Sequence, residues 1–182
     1  MNFLYTLIET ADKTAVVTVS GGRDPLLVSS GGACATTVTA ALVSVLPAAI
    51  GGNLRIDENV IFLYEPYFEG MAPSEVRAIV AHEEAHCFLG HLKEIQTDGG
   101  PGVYVNNRNE MEADAYAADR FGAKNVRKAF VRLLMNQLKV EIANLPAEKT
   151  PSPQKIKTAK RLMVESMKTR FDNLRVIQKH TP

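Results

Sequence analysis

His82, Glu83 and His86 stand in the run His82-Glu83-Glu84-Ala85-His86, the pattern His-Glu-x-x-His. Imidazoles four residues apart on a helix share one face, so both can reach a single metal ion. The carboxylate beside the first imidazole can point into the same site without binding the ion. There it can take a proton from water and return it to a leaving group. The motif therefore assigns His82 and His86 as metal ligands and Glu83 as the general base of a metal-assisted hydrolysis.

A catalytic zinc site takes three protein ligands and keeps a fourth position open. A third histidine six residues after the motif is excluded, because that position is Leu92. A glutamate from a later helix fits instead. Glu110 lies 24 residues after His86, beyond the glycine-rich Asp98-Gly99-Gly100-Pro101-Gly102. Glu110 and Asp114 are four apart, hence on one helical face, so Glu110 can ligate while Asp114 accepts the free N–H of a metal-bound histidine. Glu112 is expected to point elsewhere and solvate its helix.

The elements that must position these groups are helical. A first helix is expected over about 74–89, capped by Ser74 with Glu75 in its first turn and stopped at Gly90. Val76, Ile79, Val80 and Ala81 make it mostly buried, and buried imidazoles and carboxylates need partners that a metal can supply. A second helix is expected over about 109–121. A long amphipathic helix over 125–143 carries Val126, Phe130, Leu133, Leu134 and Leu138 on one side. A proline-marked connector then leads to a last helix over about 153–178, rich in Lys and Arg and expected to present a solvated basic face.

Upstream, residues 2–9 read as a short helix or strand and Ala15–Val19 as a strand. A turn at Ser20–Pro25 precedes a short strand at Leu26–Val28, and one or two strands follow between Leu54 and Tyr64. Ala33 to Ile50 is uncharged over 18 residues. Thr36, Thr37, Thr39, Ser44 and Pro47 interrupt it and glycine pairs bracket it, so a buried helix around 35–46 is expected rather than a membrane span.

With these residues in view, the stretch from about Asn59 to Gly122 resembles the HtpX-like and CAAX-prenyl-protease-type family of gluzincin metallopeptidases. The likeness rests on the strand Asn59–Leu63, on Ser74 through His86, on Gly90-His91, and on Glu110-x-x-x-Asp114 leading into Ala115–Gly122. It implies one zinc ion held by His82, His86 and Glu110, with Glu83 as base and Asp114 as an orienting partner. It also implies a zincin-like α+β fold, mostly helical with a small mixed sheet, in which an edge strand at Val60–Tyr64 receives the substrate. The substrate implied is a peptide or protein. The small ImmA/IrrE-like gluzincins offer a similar arrangement. Two features depart from the family, whose members are often polytopic in the membrane and often carry a His-Pro pair near the C-terminal part. Here Thr150-Pro151-Ser152-Pro153 occupies that stretch, so the donor to the reaction's oxyanion stays open among Tyr104, Tyr116, His91, Lys155 and Lys157. A silent gluzincin site in a zinc-binding regulatory protein is the alternative reading.

Length suits one domain over 1–182: N-terminal strands and helix to 73, metal-site helices over 74–122, C-terminal helices over 123–182. A net charge of +1 gives no argument for a nucleic-acid partner. Met1–Tyr5 lacks a basic start, and two cysteines make no disulfide framework, so a cytoplasmic location is expected. Peptide deformylases also use His-Glu-x-x-His, with an upstream cysteine as third ligand, and Cys34 is the residue of that type here. Cys34→Ser is expected to leave metal content unchanged; loss of the metal, read by elemental analysis, would transfer the third-ligand role to the cysteine.

Overall fold

The computed structural model describes residues 4–9, 14–21, 32–92 and 107–178. The expected strand at Leu26–Val28, the turn between Gly22 and Pro25, the Asp98–Gly102 loop and Tyr104 lie outside these residues.

The architecture is α+β, mostly helical, with one mixed sheet of four described strands. Strand β1 (Leu4–Glu9) pairs antiparallel with β2 (Ala15–Ser20), which runs parallel to β4 (Asn59–Tyr64). Strand β3 (Ala33–Thr37) pairs antiparallel with the other side of β4, giving the order β1-β2-β4-β3. Val16, Val17 and Val19 and the run Val60–Tyr64 are all buried, so both inner strands are covered on both faces.

Between β3 and β4 lie two short helices, α1 (Ala40–Val45) and α2 (Ala48–Gly51). Helix α3 (Glu65–Phe68) follows β4 directly, and then come α4 (Pro73–Phe88), α5 (Asn107–Phe121), α6 (Ala123–Ala143) and α7 (Pro153–Gln178), with a 3-10 turn at Ala147–Lys149. Helix α4 packs on β3 and β4 on one side and on α5 and α6 on the other, while α7 lies across α6 and α5.

Three expectations are corrected. The uncharged stretch from Ala33 is not a buried helix: Cys34, Thr36 and Thr37 build a strand, and α1 buries no residue. Thr39 caps α1 by accepting from Leu42 N–H, and Pro47 follows its end. No helix among the described residues is long and apolar enough to cross a membrane. Leu54–Asp57 is a turn with Asp57 at positive φ, tied back to Val38 through the Asp57 N–H. Val60–Tyr64 is an interior strand rather than an edge; among the described residues the edge beside α4 is β3.

Gly32 opens β3 at φ +90, where a β-carbon would sit 2.2 Å from the Tyr67 ring. That ring has no exposed surface, and its hydroxyl is bonded to Glu141. The edge strand can start where it does because position 32 carries no side chain.

The start of α4 also differs from expectation. Its N-cap position is Ala72, and Pro73 is the first helical residue, a place where its missing N–H costs nothing. Glu75 does the capping by reaching back to accept the Ala72 N–H at 2.9 Å. Its buried carboxylate also meets Lys128 at 3.0 Å and Arg132 at 3.4 Å, both from α6. The Ala72 N–H chiefly, against the opposing effect of burial and with help from Lys128 and Arg132, holds Glu75 below its ordinary 4.5. Glu75→Ala is expected to cost about 1–2 kcal/mol, roughly 2–8 °C in Tm, at neutral pH. Because the folded value is depressed, that contribution is complete above the ordinary carboxylate range and is lost as pH falls through the lowered value. Thermal unfolding of both proteins at neutral and acid pH checks it, and an equal Tm at neutral pH would remove Glu75 from the start of α4.

Candidate metal centre

Two helical stripes meet at the site. On α4, Glu75, Ala78, Ile79, His82 and Ala85 recur at helical spacing and are buried. On α5, Glu110, Ala113, Asp114 and Ala117 recur at the same spacing; Ala113, Asp114 and Ala117 expose nothing, and Glu110 is partly buried. Alanines on both stripes keep the side chains between the helices small, so short carboxylates on α5 can reach imidazoles on α4.

The geometry converges on one point. His82 Nε2 and His86 Nε2 are 3.2 Å apart. Glu110 straddles them, with Oε2 at 3.4 Å from His82 Nε2 and Oε1 at 3.4 Å from His86 Nε2. A tetrahedral ion with bonds of about 2.0–2.1 Å requires ligand atoms roughly 3.3–3.4 Å apart. The three residues are thus spaced as ligands of one small divalent ion, and among the described residues they form the cluster able to hold one.

The other ring nitrogens face separate partners. His82 Nδ1 lies 3.0 Å from Asp114 Oδ1, close in distance though not aligned as a hydrogen bond. His86 Nδ1 lies 3.0 Å from His91 Nδ1, and His91 Nε2 is 3.2 Å from Glu112 Oε2. Glu112 therefore does not simply solvate its helix: its carboxylate also accepts from Arg108 Nε at 2.8 Å.

The charges are those of a site that wants a cation. Burial opposes a charge on His82, but Asp114 and Glu110 at its two nitrogens, with Glu83 nearby, push it up to about 9. Burial and the charge on His82 push His86 down to about 4. Burial alone would raise Glu110; the His82 contact and the charges of His82, His86 and Arg170 bring it to about 2.

Glu83 is buried, and burial raises its carboxyl against the opposing charge of His82. Its Oε2 accepts the backbone N–H of Ala35 on β3 at 3.0 Å. Not every acid on α4 concerns the cluster: buried Glu84 is paired with Arg120 at 3.7 Å.

The cations of α7 are expected on a solvated face. Lys155 and Lys157 are exposed there, about 20 Å along the helix from residue 170. Arg170 departs from this. Its Nε and Nη2 donate to the two oxygens of Asp114, the Nη2–Oδ1 bond being 2.7 Å, and Nη2 also donates to Glu110 Oε2 at 3.1 Å. One signal pointed to it: the apolar stripe Met163, Met167, Leu174 passes through position 170, where a charge needs a reason. Of the other groups named for the oxyanion, Tyr116 lies beside Phe88 and under the Arg120 guanidinium, and His91 sits on the Nδ1 side of His86. Cys34 lines an apolar cavity with Tyr5, Val19, Leu42, Leu46 and Phe62, and is not part of the cluster.

No protein family, curated protein or solved structure matches this chain.

Removing the Arg170 guanidinium leaves Asp114 buried against His82 alone. Arg170→Ala is expected to lower the unfolding free energy by roughly 2–4 kcal/mol, less than for a fully enclosed pair because a quarter of the Arg170 side chain is exposed. Arg170→Lys should recover only part, since an ammonium cannot make the paired contact. Denaturant unfolding of the metal-free proteins measures this, and undiminished stability would show that Asp114 does not depend on Arg170.

Proposed function

We propose that this chain is a zinc-dependent metallopeptidase with a zincin-like fold, of the gluzincin kind its sequence resembles. The observation that carries the reading is the convergence of His82 Nε2, His86 Nε2 and the Glu110 carboxylate at tetrahedral spacing, with Glu83 buried alongside. Zinc is the ion that two imidazoles and a carboxylate favour; when bound it supplies Lewis acidity and makes water a nucleophile near neutral pH.

The chain's own residues divide the remaining work. Asp114 and Arg170 hold His82 and Glu110 in place, so the ligand set is organised before an ion arrives. Glu83 is the proton carrier: its carboxyl takes a proton from the attacking water and delivers it to the leaving nitrogen. Burial favours this role, because raising the carboxyl makes Glu83 a stronger base toward the water's proton. The edge strand β3 is the element on which a peptide can be laid as an added strand beside α4. Its Ala35 N–H, bonded to Glu83, puts that edge within reach of the base.

A second reading is that of a zinc-binding regulatory protein without turnover. It is favoured by the placement of groups named for the oxyanion: His91 sits on the Nδ1 side of His86, and Lys155 and Lys157 lie about 20 Å along α7 from residue 170.

Metal analysis and a peptide-cleavage screen separate these. Wild type is expected to hold about one zinc per chain, Glu110→Ala to lose it, and Glu83→Gln to keep the metal with no cleavage. Zinc retained without cleavage in wild type supports the regulatory protein, and no zinc after reconstitution removes the metallopeptidase.

A further inference from the structure

One polar group beside the two histidines, His91, is neither a ligand of the cluster nor a partner of Glu110 or Asp114. His91 is buried, stands just past the end of α4, and touches neither Glu110 nor Glu83 in any contact described. A buried imidazole between another imidazole and a carboxylate requires a reason.

We propose that His91, itself held by Glu112, is the positioning residue of His86, setting the tautomer and ring direction with which His86 meets the metal. This rests on the metal reading above and extends it to residues outside the ligand set.

Hydrogen-bonding capacity leads to the assignment. An ionised Glu112 carboxylate only accepts, so the His91 nitrogen 3.2 Å from it carries a proton. In neutral His91 the proton on Nε2 leaves Nδ1 as an acceptor. That acceptor lies 3.0 Å from His86 Nδ1, which must then be the protonated nitrogen of His86. His86 Nε2 is left with its lone pair, pointing at His82 Nε2 and Glu110. The chain of donors from His86 to His91 to Glu112 thus selects the one tautomer able to bind an ion. His82 has a carboxylate, Asp114, at 3.0 Å from its own Nδ1.

The backbone is arranged for the contact. Continued helix would carry residue 91 round to a different direction from residue 86. Gly90 instead turns the chain at φ +78, the left-handed geometry that ends a helix. A β-carbon there would meet nothing within 4 Å, so glycine is needed for the turn and not for space. The turn carries the His91 ring back beside His86, with ring centroids 5.1 Å apart.

The two histidines therefore differ in what lies behind them. His82 is backed by a carboxylate with no exposure. His86 is backed by a ring and then by Glu112, whose side chain is 42% exposed and paired with an exposed Arg108. The end of the second chain lies at the surface, where it can be altered with little disturbance of the core.

The test is zinc affinity, measured by competition with a chelator of known affinity on the full chain, with thermal unfolding of each metal-free protein as control. Relative to wild type, His91→Ala should bind zinc roughly 10- to 100-fold more weakly, Glu112→Ala about 10-fold more weakly, and His91→Asn within about threefold. Asparagine restores the acceptor, because its Oδ1 occupies the place of the histidine Nδ1. A role in filling space would weaken His91→Asn as much as His91→Ala and leave Glu112→Ala unchanged; that pattern overturns the proposal. If His91→Ala does not fold, the contrast between a weakened Glu112→Ala and a preserved His91→Asn decides it. Wild type that binds zinc while Glu112→Ala matches it refutes this inference alone, whereas wild type that binds none refutes the metal reading and this one together.

Discussion

Asp114 is a carboxylate with no exposed surface, and the arrangement of three helices follows from the need to compensate it. Removing such a group from water costs several kcal/mol, recovered only if cations and donors meet it at close range. Here they come from two directions: His82 from α4 and Arg170 from α7, with Asp114 itself on α5. A rotation of α5 or a slide of α7 by one turn would leave the charge alone. The same Arg170 Nη2 touches Glu110, so the compensation of a structural carboxylate also sets the direction of the carboxylate aimed at the cluster. Stability and site geometry are therefore one problem in this protein.

The sheet supplies what the helices cannot. Its inner strands are apolar on both faces and give α4 a firm surface to lie on. Its last described strand is different: β3 is half-buried, and the Ala35 N–H turns outward to the Glu83 carboxylate instead of into the ladder. A single hydrogen bond across 48 residues thus joins the strand edge to the group assigned as base. The strand has this position because Gly32 lets the backbone pass against the Tyr67 ring, and Tyr67 is in turn held through Glu141 on α6.

Local periodicity carried much of this in advance. The extents of the long helices follow from their apolar spacing and stop signals, and the last helix was expected over the residues it occupies. The i, i+4 relation of Glu110 and Asp114 was enough to place both on the face that meets α4. Elsewhere the pattern was ambiguous or silent. An uncharged run such as Ala33–Ile50 reads alike as strand or buried helix, and pairing with β4 decided it. Whether Val60–Tyr64 is an edge depends on which strand returns beside it, which no local feature records. Ser74 has the right side chain for a cap, but proline at 73 starts the helix one residue sooner. Arg170 meets Asp114 across 56 residues and Glu112 meets His91 across 21, and contacts of that span leave only faint marks in sequence: a charge within an apolar stripe, a histidine after a helix-ending glycine.

The long separation between Arg170 and Asp114 also makes one buried charge depend on the docking of the last helix. The α4–α5 pair sets its acids and imidazoles facing one another, but the buried carboxylate has its guanidinium only when the last helix is docked. Contacts of long sequence separation carry a loop-closure cost that must be met before they contribute. A chain in which α7 has not docked would keep His82, His86 and Glu110 on facing helices but would lack the guanidinium that compensates Asp114 and directs Glu110.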